Sequence, residues 1–342
     1  MSSILSNGSK TSSKEHFIAR HVHLVGSSEA MSAACQAVFP DGETGKRHFF
    51  VRWQTEVFDS SPHILKSFEQ IGDYKSYQPD TALSSQIKLG PIGYDDHAIE
   101  SYAEFCKLKD QGAVPPGVRF QVSLPTPVNV IGLCLLPEYQ AAAEPMYEEA
   151  LMAALRRIQD VIPKADLAIQ WDMSYEIGMS LQFVVRWRCQ AGYSGALCSF
   201  GGSRRWMDFH LCYGDAGHKH FIEPKDMSVL VDMMNELSET AHRVVDWIHV
   251  PVPKNRTDEA YFVPLKHLKL KSETQVYLGL AHAWDLEGTK ERIRVASEFL
   301  YEFGVSTECG FGRTEKDELL SVLSVLAEVT EPELDQLLDE KL

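Results

Sequence analysis

The sequence lacks long uncharged hydrophobic runs and has fewer basic than acidic residues. No run approaches the roughly 18 residues that a membrane helix needs, and the opening stretch, MSSILSNGSK, has no apolar signal-peptide core. Lysine and arginine number 33 against 48 aspartates and glutamates, so the formal net charge is -15. Nucleic-acid binders carry basic surfaces. We therefore expect a cytoplasmic protein with a small-molecule substrate and no nucleic-acid or membrane partner; the oligomeric state is left open.

Cysteine is also scarce, with 7 residues scattered over 342. An odd number without regular spacing excludes the disulfide framework of a small secreted domain. The spacing also lacks the paired Cys-x-x-Cys pattern that marks many structural zinc sites. Most of these cysteines are expected to be buried thiols. Cys212 and Cys309 differ because each follows a strand-like segment.

The chain is long and apolar enough, at 44% hydrophobic residues, to build a large core. Residues 1–18 are rich in Ser, Lys, Asn and Gly and predict a disordered tail. Residues 19–342 are expected to form one domain, since α/β barrels commonly reach about 250 residues or more as a single unit.

Eight strand candidates, mostly separated by helices, predict an α/β fold of the (β/α)8 (TIM) barrel type. The candidates are residues 21–25, 37–39, 120–124, 167–172, 209–213, 245–250, 276–281 and 304–308. Helices are predicted from Ser61, over 97–110 and 138–161, from Pro224, and over 287–303, and a helix is favoured over a strand for 181–187. An enlarged segment, residues 44–118, lies between strands 2 and 3.

Polar residues gather at the ends of the predicted strands. They are Ser27, Glu43, Thr126, Asp172, Cys212, His249, His282 and Cys309. A parallel barrel builds its active site at the carboxyl ends of its strands, so these residues are expected to share one mouth. Gly26-Ser27 also makes a strand–turn–helix junction whose backbone N–H groups suit an anion; an ordinary βα turn is the alternative.

His210 and Cys212 are two residues apart and would point to the same side of a strand. If the barrel brings Cys309 and His249 to the same mouth, two thiolates and one or two imidazoles converge. Such soft and borderline ligands favour Zn²⁺ over Mg²⁺ or Ca²⁺. The alternative is a barrel core with inert thiols.

Two kinds of zinc chemistry remain open from the residues alone. A thiolate-rich site suits a bound thiol and alkyl transfer to its sulfur. A site with two neutral imidazoles is more electrophilic and suits lyase or hydrolase chemistry. His282 would serve as general acid or base in either scheme, or would simply cap a strand end.

Several short segments, spread over about residues 20–315, also carry a family resemblance. They are Val25-Gly26-Ser27, Asp41-Gly42-Glu43, Leu124-Pro125-Thr126-Pro127-Val128, Ile169-Gln170-Trp171-Asp172, His210-Leu211-Cys212-Tyr213 and Glu308-Cys309-Gly310. In type and order they resemble motifs of the C-terminal catalytic barrel of cobalamin-independent methionine synthase, in the superfamily that includes uroporphyrinogen decarboxylase. The family's His-Met-Cys-Tyr and Asp-Cys-Gly are the counterparts of the last two segments.

The resemblance implies roles for individual residues. The family's zinc ligands correspond to His210, Cys212 and Cys309. The residues that hold the amino-acid part of its thiol substrate correspond to Gly26, Ser27, Glu43 and Asp172. His282 corresponds to a histidine that assists proton transfer, so His282 and Asp172 are the catalytic candidates.

This chain departs from the family at the fourth metal ligand. The family has a glutamate at the end of the sixth strand, where this chain has His249, which makes the site more positive by one charge. The family's folate-binding half has no counterpart here, so folate-dependent methionine synthesis is not expected. We expect an enzyme that transfers an alkyl or methyl group to a small thiol or related nucleophile with zinc. The alternatives are a zinc Lewis-acid lyase or hydrolase and a non-catalytic binding barrel.

Overall fold

The computed structural model describes most of the chain from residue 89 onward and shorter stretches before it. The described residues are 16–18, 38–40, 51–59, 65–71, 74–79, 89–112, 114, 118–178, 206–214, 220, 222–241, 243–310 and 315–330. For residues 16–18, 38–40, 65–71, 74–79, 138 and 139 the description covers the backbone alone.

One parallel sheet organises the described part of the chain. Its strands, with those of a separate hairpin, are β1 (His16–Ile18), β2 (Val38–Pro40), β3 (Leu65–Ile71), β4 (Tyr74–Pro79), β5 (Arg119–Pro125), β6 (Leu167–Met173), β7 (Trp206–Leu211), β8 (Trp247–Pro251), β9 (Gln275–Ala281) and β10 (Phe303–Thr307). β5 to β10 lie side by side in chain order, and the short β2 and β1 extend the sheet beyond β5 and β10. Every pairing in this sheet is parallel. The predicted α/β class is confirmed.

The two outermost strands, β1 and β2, follow each other in the chain. No pairing between them is found among the described residues. Among the described residues, the strand order therefore runs from β1 to β2 without closing. Because all the strands are parallel, their carboxyl ends lie at the same edge of the sheet.

Helices connect most of the strands. They are α1 (Gln54–Asp59), α2 (Tyr94–Asp110), α3 (Pro127–Cys134), α4 (Pro137–Val161), α5 (Ser228–Thr240), α6 (Glu259–Phe262), a 3₁₀ turn (Val263–His267), α7 (Leu286–Ala296) and α8 (Lys316–Val329). The start of α3 illustrates how the sequence sets these bounds: Thr126 accepts a hydrogen bond from the Asn129 backbone N–H, and Pro127 is the first helical residue. Among the described residues, no helix is long and apolar enough to cross a membrane.

The central strands are buried along almost their whole length. All seven residues of β6 and all five of β8 are buried. This burial is typical of parallel sheets that are covered on both faces, which is why the strands read as apolar runs without clear alternation. Polar residues within such runs, including Asp172, His210 and His249, are buried with the strands and shielded from bulk water.

The helices predicted near residues 97–110 and 138–161 and after Pro224 are confirmed. The helix predicted over 287–303 ends at Ala296, and Phe303 instead opens β10. The helix predicted from Ser61 is wrong, because Leu65–Ile71 pairs antiparallel with β4. Gly72-Asp73, which separates these strands, is a two-residue hairpin signal that outweighs the preceding Ser-Pro pair.

Some predictions lie outside the described residues. These include the strand at 21–25, the favoured helix at 181–187 and the tail residues before His16. His16–Ile18, within the predicted tail, forms β1 beside β10. The predicted enlarged segment contains α1, the β3–β4 hairpin and α2.

Candidate metal centre

The last residues of β7 and β10 bring three metal-ligating side chains together. His210 lies near the end of β7, Cys212 follows that strand directly, and Cys309 comes two residues after β10 ends. One ligand atom from each of the three lies within 4.8 Å of the others. In the described part of the chain, this is the one such His, Cys, Asp or Glu cluster.

The geometry of the cluster is close to that of a zinc site. The Sγ atoms of Cys212 and Cys309 are 3.2 Å apart, and both are free thiols. Two sulfurs on a tetrahedral zinc, each at about 2.3 Å from the metal, are separated by roughly 3.8 Å, so the thiols need to move apart by roughly half an ångström. His210 is 2% exposed and Cys212 is 6% exposed. The donor set, two sulfurs and an imidazole nitrogen, fits Zn²⁺.

The surroundings of Cys309 disfavour its thiolate when no cation is bound. The hydrogen bond with Cys212, together with burial and the negative charge of Glu308, raises the pKa of Cys309 well above its ordinary value. Two adjacent thiolates in a buried site repel each other. A bound divalent cation reverses this balance, because it coordinates thiols in their deprotonated form.

His249 lies beside this cluster but is not one of its three converging ligands. It pairs in register with His210 across β7 and β8, and the two rings stack with centroids 4.7 Å apart. His249 Nε2 lies 2.9 Å from the backbone oxygen of Thr307. Because a carbonyl only accepts, Nε2 carries the proton and the lone pair is on Nδ1. Its role as a fourth ligand stays a prediction.

Asp172 occupies the equivalent level of the neighbouring strand β6. It is in register with His210, it is 6% exposed, and its Oδ1 accepts a hydrogen bond of 2.7 Å from the Gln170 amide. The carboxylate is therefore fixed next to the metal ligands, where a cationic group could pair with it. Gly26, Ser27 and Glu43, the other predicted substrate contacts, lie outside the described residues.

His282 follows β9 and is held by two contacts. Its Nε2 donates to the Val252 carbonyl oxygen at 2.9 Å, and its Nδ1 lies 3.6 Å from Glu308 Oε2. Burial lowers the pKa of His282 to about 4, against the opposing effect of Glu308. The ring is therefore neutral at physiological pH, as a proton acceptor must be.

Sequence reasoning missed Glu308 and His220. Glu308 Oε1 lies 3.3 Å from His220 Nε2, so one carboxylate contacts two histidines from different loops. Although burial raises the pKa of Glu308, its pairing with His220 and the proximity of His282 lower it overall, and it is charged. The available signal was the position of Glu308 directly before Cys309. His220 offered only a polar, histidine-containing stretch.

A third missed residue, Asp208, lies beneath the site on β7. It is fully buried, and neither of its carboxylate oxygens has a hydrogen-bond partner among the described residues. Burial, with the negative charges of Asp172 and Asp246, raises the pKa of Asp208 well above its ordinary value. Burial beside two other carboxylates therefore favours the protonated form of Asp208.

A cavity of about 390 Å³ opens beside the two thiols. Its lining includes Cys212, Cys309, His220, Glu308 and Lys254. The candidate metal ligands are thus reachable from outside, and the wall carries Glu308, which lies 3.6 Å from His282 Nδ1. The volume is sufficient for an amino-acid-sized molecule.

Comparison with solved structures identifies the architecture. A vitamin-B12-independent methionine synthase from a Shewanella species, in complex with selenomethionine, superposes with a TM-score of 0.55 at 17% identity, covering 91% of this chain and 86% of that chain. A Listeria monocytogenes protein assigned as a vitamin-B12-independent methionine synthase gives a TM-score of 0.50 at 16% identity, covering 92% of this chain and 96% of that one. The chain shares the methionine synthase fold.

No protein-family model matches the chain, and no curated protein matches it either. The fold shared with the methionine synthases is thus recognisable in three dimensions while the sequences have diverged widely. It agrees with the resemblance that the short motifs indicate.

Proposed function

We propose that this protein is a zinc-dependent enzyme that transfers a methyl or other alkyl group to the sulfur of a small thiol. The observation that carries the proposal is the convergence of His210, Cys212 and Cys309, whose ligand atoms lie within 4.8 Å of one another. The methionine synthase fold supports it, because the product named for those proteins is a methylated thiol amino acid. His249 would complete or adjoin the site.

The metal's contribution would be to lower the pKa of a coordinated thiol, so that the sulfur becomes a nucleophile near neutral pH. The protein's residues would then position the reactants. Asp172, fixed by Gln170, would pair with an ammonium group of the substrate. Glu43 and the Gly26-Ser27 turn would hold the rest of its amino-acid part, as the family resemblance implies. His282 would accept the thiol proton at Nδ1, on the side that faces Glu308.

Metal analysis is the first test of this proposal. Purified protein should contain about one equivalent of zinc. Cys212→Ser and Cys309→Ser should lose it while keeping a folded sheet. Cys106→Ser is the matched control, since Cys106 is a free cysteine on α2, away from the site. If either site mutant keeps stoichiometric zinc, the ligand assignment is wrong.

The thiol reaction is tested with cobalt-substituted protein. L-homocysteine, which is methionine without its methyl group, should add a thiolate-to-cobalt band to the visible and near-ultraviolet spectrum. Alanine lacks the thiol and should leave the spectrum unchanged. If homocysteine and other small thiols add no band, the transferase proposal fails.

A zinc lyase or hydrolase is the second candidate, and His249 is the observation that favours it. A neutral imidazole in place of the family's glutamate makes the metal more electrophilic. In that case, cobalt-substituted protein should respond to carbonyl or carboxylate ligands and not to thiols. If purified protein binds no zinc at all, a non-catalytic binding barrel becomes the better interpretation.

We further propose that the sheet closes into a (β/α)8 barrel and that residues 19–342, together with β1 (His16–Ile18), form a single domain. The support is that β1 and β2 are neighbours in the chain and lie at the two edges of the sheet. Closure would protect the backbone amides of both edge strands from hydrogen exchange. Fast exchange in β1 and β2 would contradict it. The cytoplasmic location and the absence of nucleic-acid or membrane partners remain predictions.

A further inference from the structure

Glu308 links two histidines that come from different parts of the chain. Its Oε1 lies 3.3 Å from His220 Nε2 and its Oε2 lies 3.6 Å from His282 Nδ1. We refer to His220, Glu308 and His282 as the histidine–glutamate bridge. His220 and Glu308 line the same cavity as Cys212 and Cys309, so the bridge borders the candidate metal centre.

His220 is firmly held in this bridge. Its side chain is only 14% exposed, its Nδ1 lies 3.3 Å from Glu223 Oε1, and its ring meets the Tyr213 ring edge-on with centroids 5.4 Å apart. Although burial lowers the pKa of His220, its pairing with Glu308 and Glu223 raises it overall. The two carboxylates therefore favour the protonated form of His220, whose Nε2 faces Glu308.

The tautomer of His282 determines which ring nitrogen can accept a proton beside Glu308. Nε2 of His282 donates to the Val252 carbonyl, so the lone pair on Nδ1 faces Glu308 Oε2. A proton that His282 takes up at Nδ1 would lie between the two atoms and be stabilised by the carboxylate. Arg292 and Lys254, which lower the pKa of His282, are the opposing charges. The orientation of Glu308 thus sets how strongly the carboxylate opposes burial in the protonation of His282.

We propose that His220 is a positioning residue, which fixes Glu308 so that Oε2 faces Nδ1 of His282. This proposal rests on the proposed function, in which Nδ1 of His282 takes the proton of the incoming thiol. It assigns a role to a residue of the segment between β7 and α5. In this proposal His220 acts through Glu308.

The test uses zinc-loaded full-length protein and four variants. His220→Gln keeps a polar side chain but removes the charge, and His220→Lys restores the charge. Glu308→Gln removes the bridging carboxylate directly. His97→Gln is the matched control, because His97 also pairs with a carboxylate, Glu100, at 3.4 Å, but on the remote helix α2. Zinc content should be the same in the wild type, His220→Gln and His97→Gln.

The first measurement is deuterium exchange of the ring Cε1 proton at His282, followed by mass spectrometry. This exchange proceeds through the protonated ring, so it slows when the proton affinity of the imidazole falls. If His220 positions Glu308, its loss lets the carboxylate turn away, and exchange at His282 should slow about tenfold, as expected for one pKa unit. Glu308→Gln should slow it equally, and His220→Lys should lie closer to the wild type.

The direction of the effect separates positioning from simple charge balance. If His220 only neutralises Glu308, its removal makes His282 more basic and exchange becomes faster. Faster or unchanged exchange in His220→Gln overturns the proposal. So does an equal effect of His220→Lys and His220→Gln, which would indicate a purely structural contact.

The second measurement is the affinity of cobalt-substituted protein for L-homocysteine. His220→Gln should bind it about tenfold more weakly, matching the loss of proton affinity at His282, and His97→Gln should bind it normally. Equal affinity in His220→Gln and wild type overturns the proposal. Exchange at His282 is measured without thiol, so the positioning of Glu308 is decided even if wild-type protein binds no thiol and the proposed function fails.

Discussion

At the scale of single residues, the site is governed by which buried groups are charged. The surroundings raise the pKa of Cys309 and of Asp208, which favours their protonated forms, and lower the pKa of Glu308, which favours its carboxylate. His282 is neutral because burial lowers its pKa to about 4. The result is that the Glu308 carboxylate lies beside two thiols and a neutral proton acceptor. A divalent cation would change this balance most at Cys212 and Cys309.

The short distance between Cys212 and Cys309 predicts oxidation of the metal-free protein. Their sulfurs are 3.2 Å apart, so a small movement allows a disulfide. With hydrogen peroxide, the two thiols would lose two hydrogens and the peroxide would be reduced to two waters. Chelator-treated protein should lose two titratable thiols, and peptide mapping should find the Cys212–Cys309 link. Zinc-loaded protein should be protected; equal oxidation with and without zinc would contradict the shared site.

Glu176 predicts a pH dependence of stability. It is fully buried, and burial raises its pKa from 4.5 to about 7, although Thr126 donates a hydrogen bond to it. A raised folded-state pKa stabilises the fold below pH 4.5, and this contribution is lost as pH rises through 7. The loss amounts to about 3 kcal/mol. Glu176→Gln keeps the acceptor for Thr126, so its unfolding free energy should fall less between pH 4.5 and 7. An unchanged pH slope would count against this.

At the scale of elements, the parallel strands place every candidate metal ligand at one edge of the sheet. β7 supplies His210, β8 supplies His249, and β10 leads to Cys309. β9 lies between β8 and β10 and must approach both closely. Its Gly279 makes that approach possible, because a Cβ there would lie 2.8 Å from the Thr307 oxygen and 3.2 Å from the Pro251 Cα.

Gly279→Ala should therefore damage the site through the backbone. The added methyl group would push β9 away from its neighbours and cost about 1–3 kcal/mol of stability. Because Thr307 precedes Cys309 by two residues, zinc affinity should fall as well. Chemical denaturation and competitive zinc titration measure both effects. Gly90→Ala is the control, since a Cβ there meets nothing within 4 Å. Normal zinc affinity in Gly279→Ala would show that β9 does not set the ligand spacing.

At the scale of the whole molecule, the metal site joins distant parts of the chain. Cys212 and Cys309 are 97 residues apart in sequence, and β8 and β9 lie between β7 and β10. A metal bound by both cysteines therefore cross-links the sheet across four strands. Its binding energy should stabilise the fold as a unit rather than one loop.

Zinc should accordingly raise the thermal unfolding temperature. A ligand that binds only the folded state at 100 times its Kd adds about 2.7 kcal/mol of stability. For a chain of this length we expect a shift of a few degrees, measured by calorimetry on chelated and zinc-reloaded protein. Cys309→Ser should show no shift, and Cys106→Ser should show the wild-type shift. A shift that survives in Cys309→Ser would place the stabilising metal elsewhere.

Much of the fold was predictable from local patterns. β5 to β10 are apolar runs, and α5 has an apolar face that repeats with the helical period, because these residues are buried. Both patterns are visible in the sequence. The helix predicted from Ser61 failed because two local signals conflicted, Ser-Pro at 61–62 and Gly-Asp at 72–73. Only pairing with β4 decides such a case, and pairing is not local.

The sequence by itself determined the parallel α/β class and the presence of His and Cys residues at the ends of strands. The tertiary structure alone decided that His210, Cys212 and Cys309 converge, that His249 stacks on His210 and bonds to Thr307, and that Glu308 lies between His220 and His282. The physical reason is that residue type and periodicity are properties of a short segment. Distance, burial and the charge state of a buried group depend on which segments pack together.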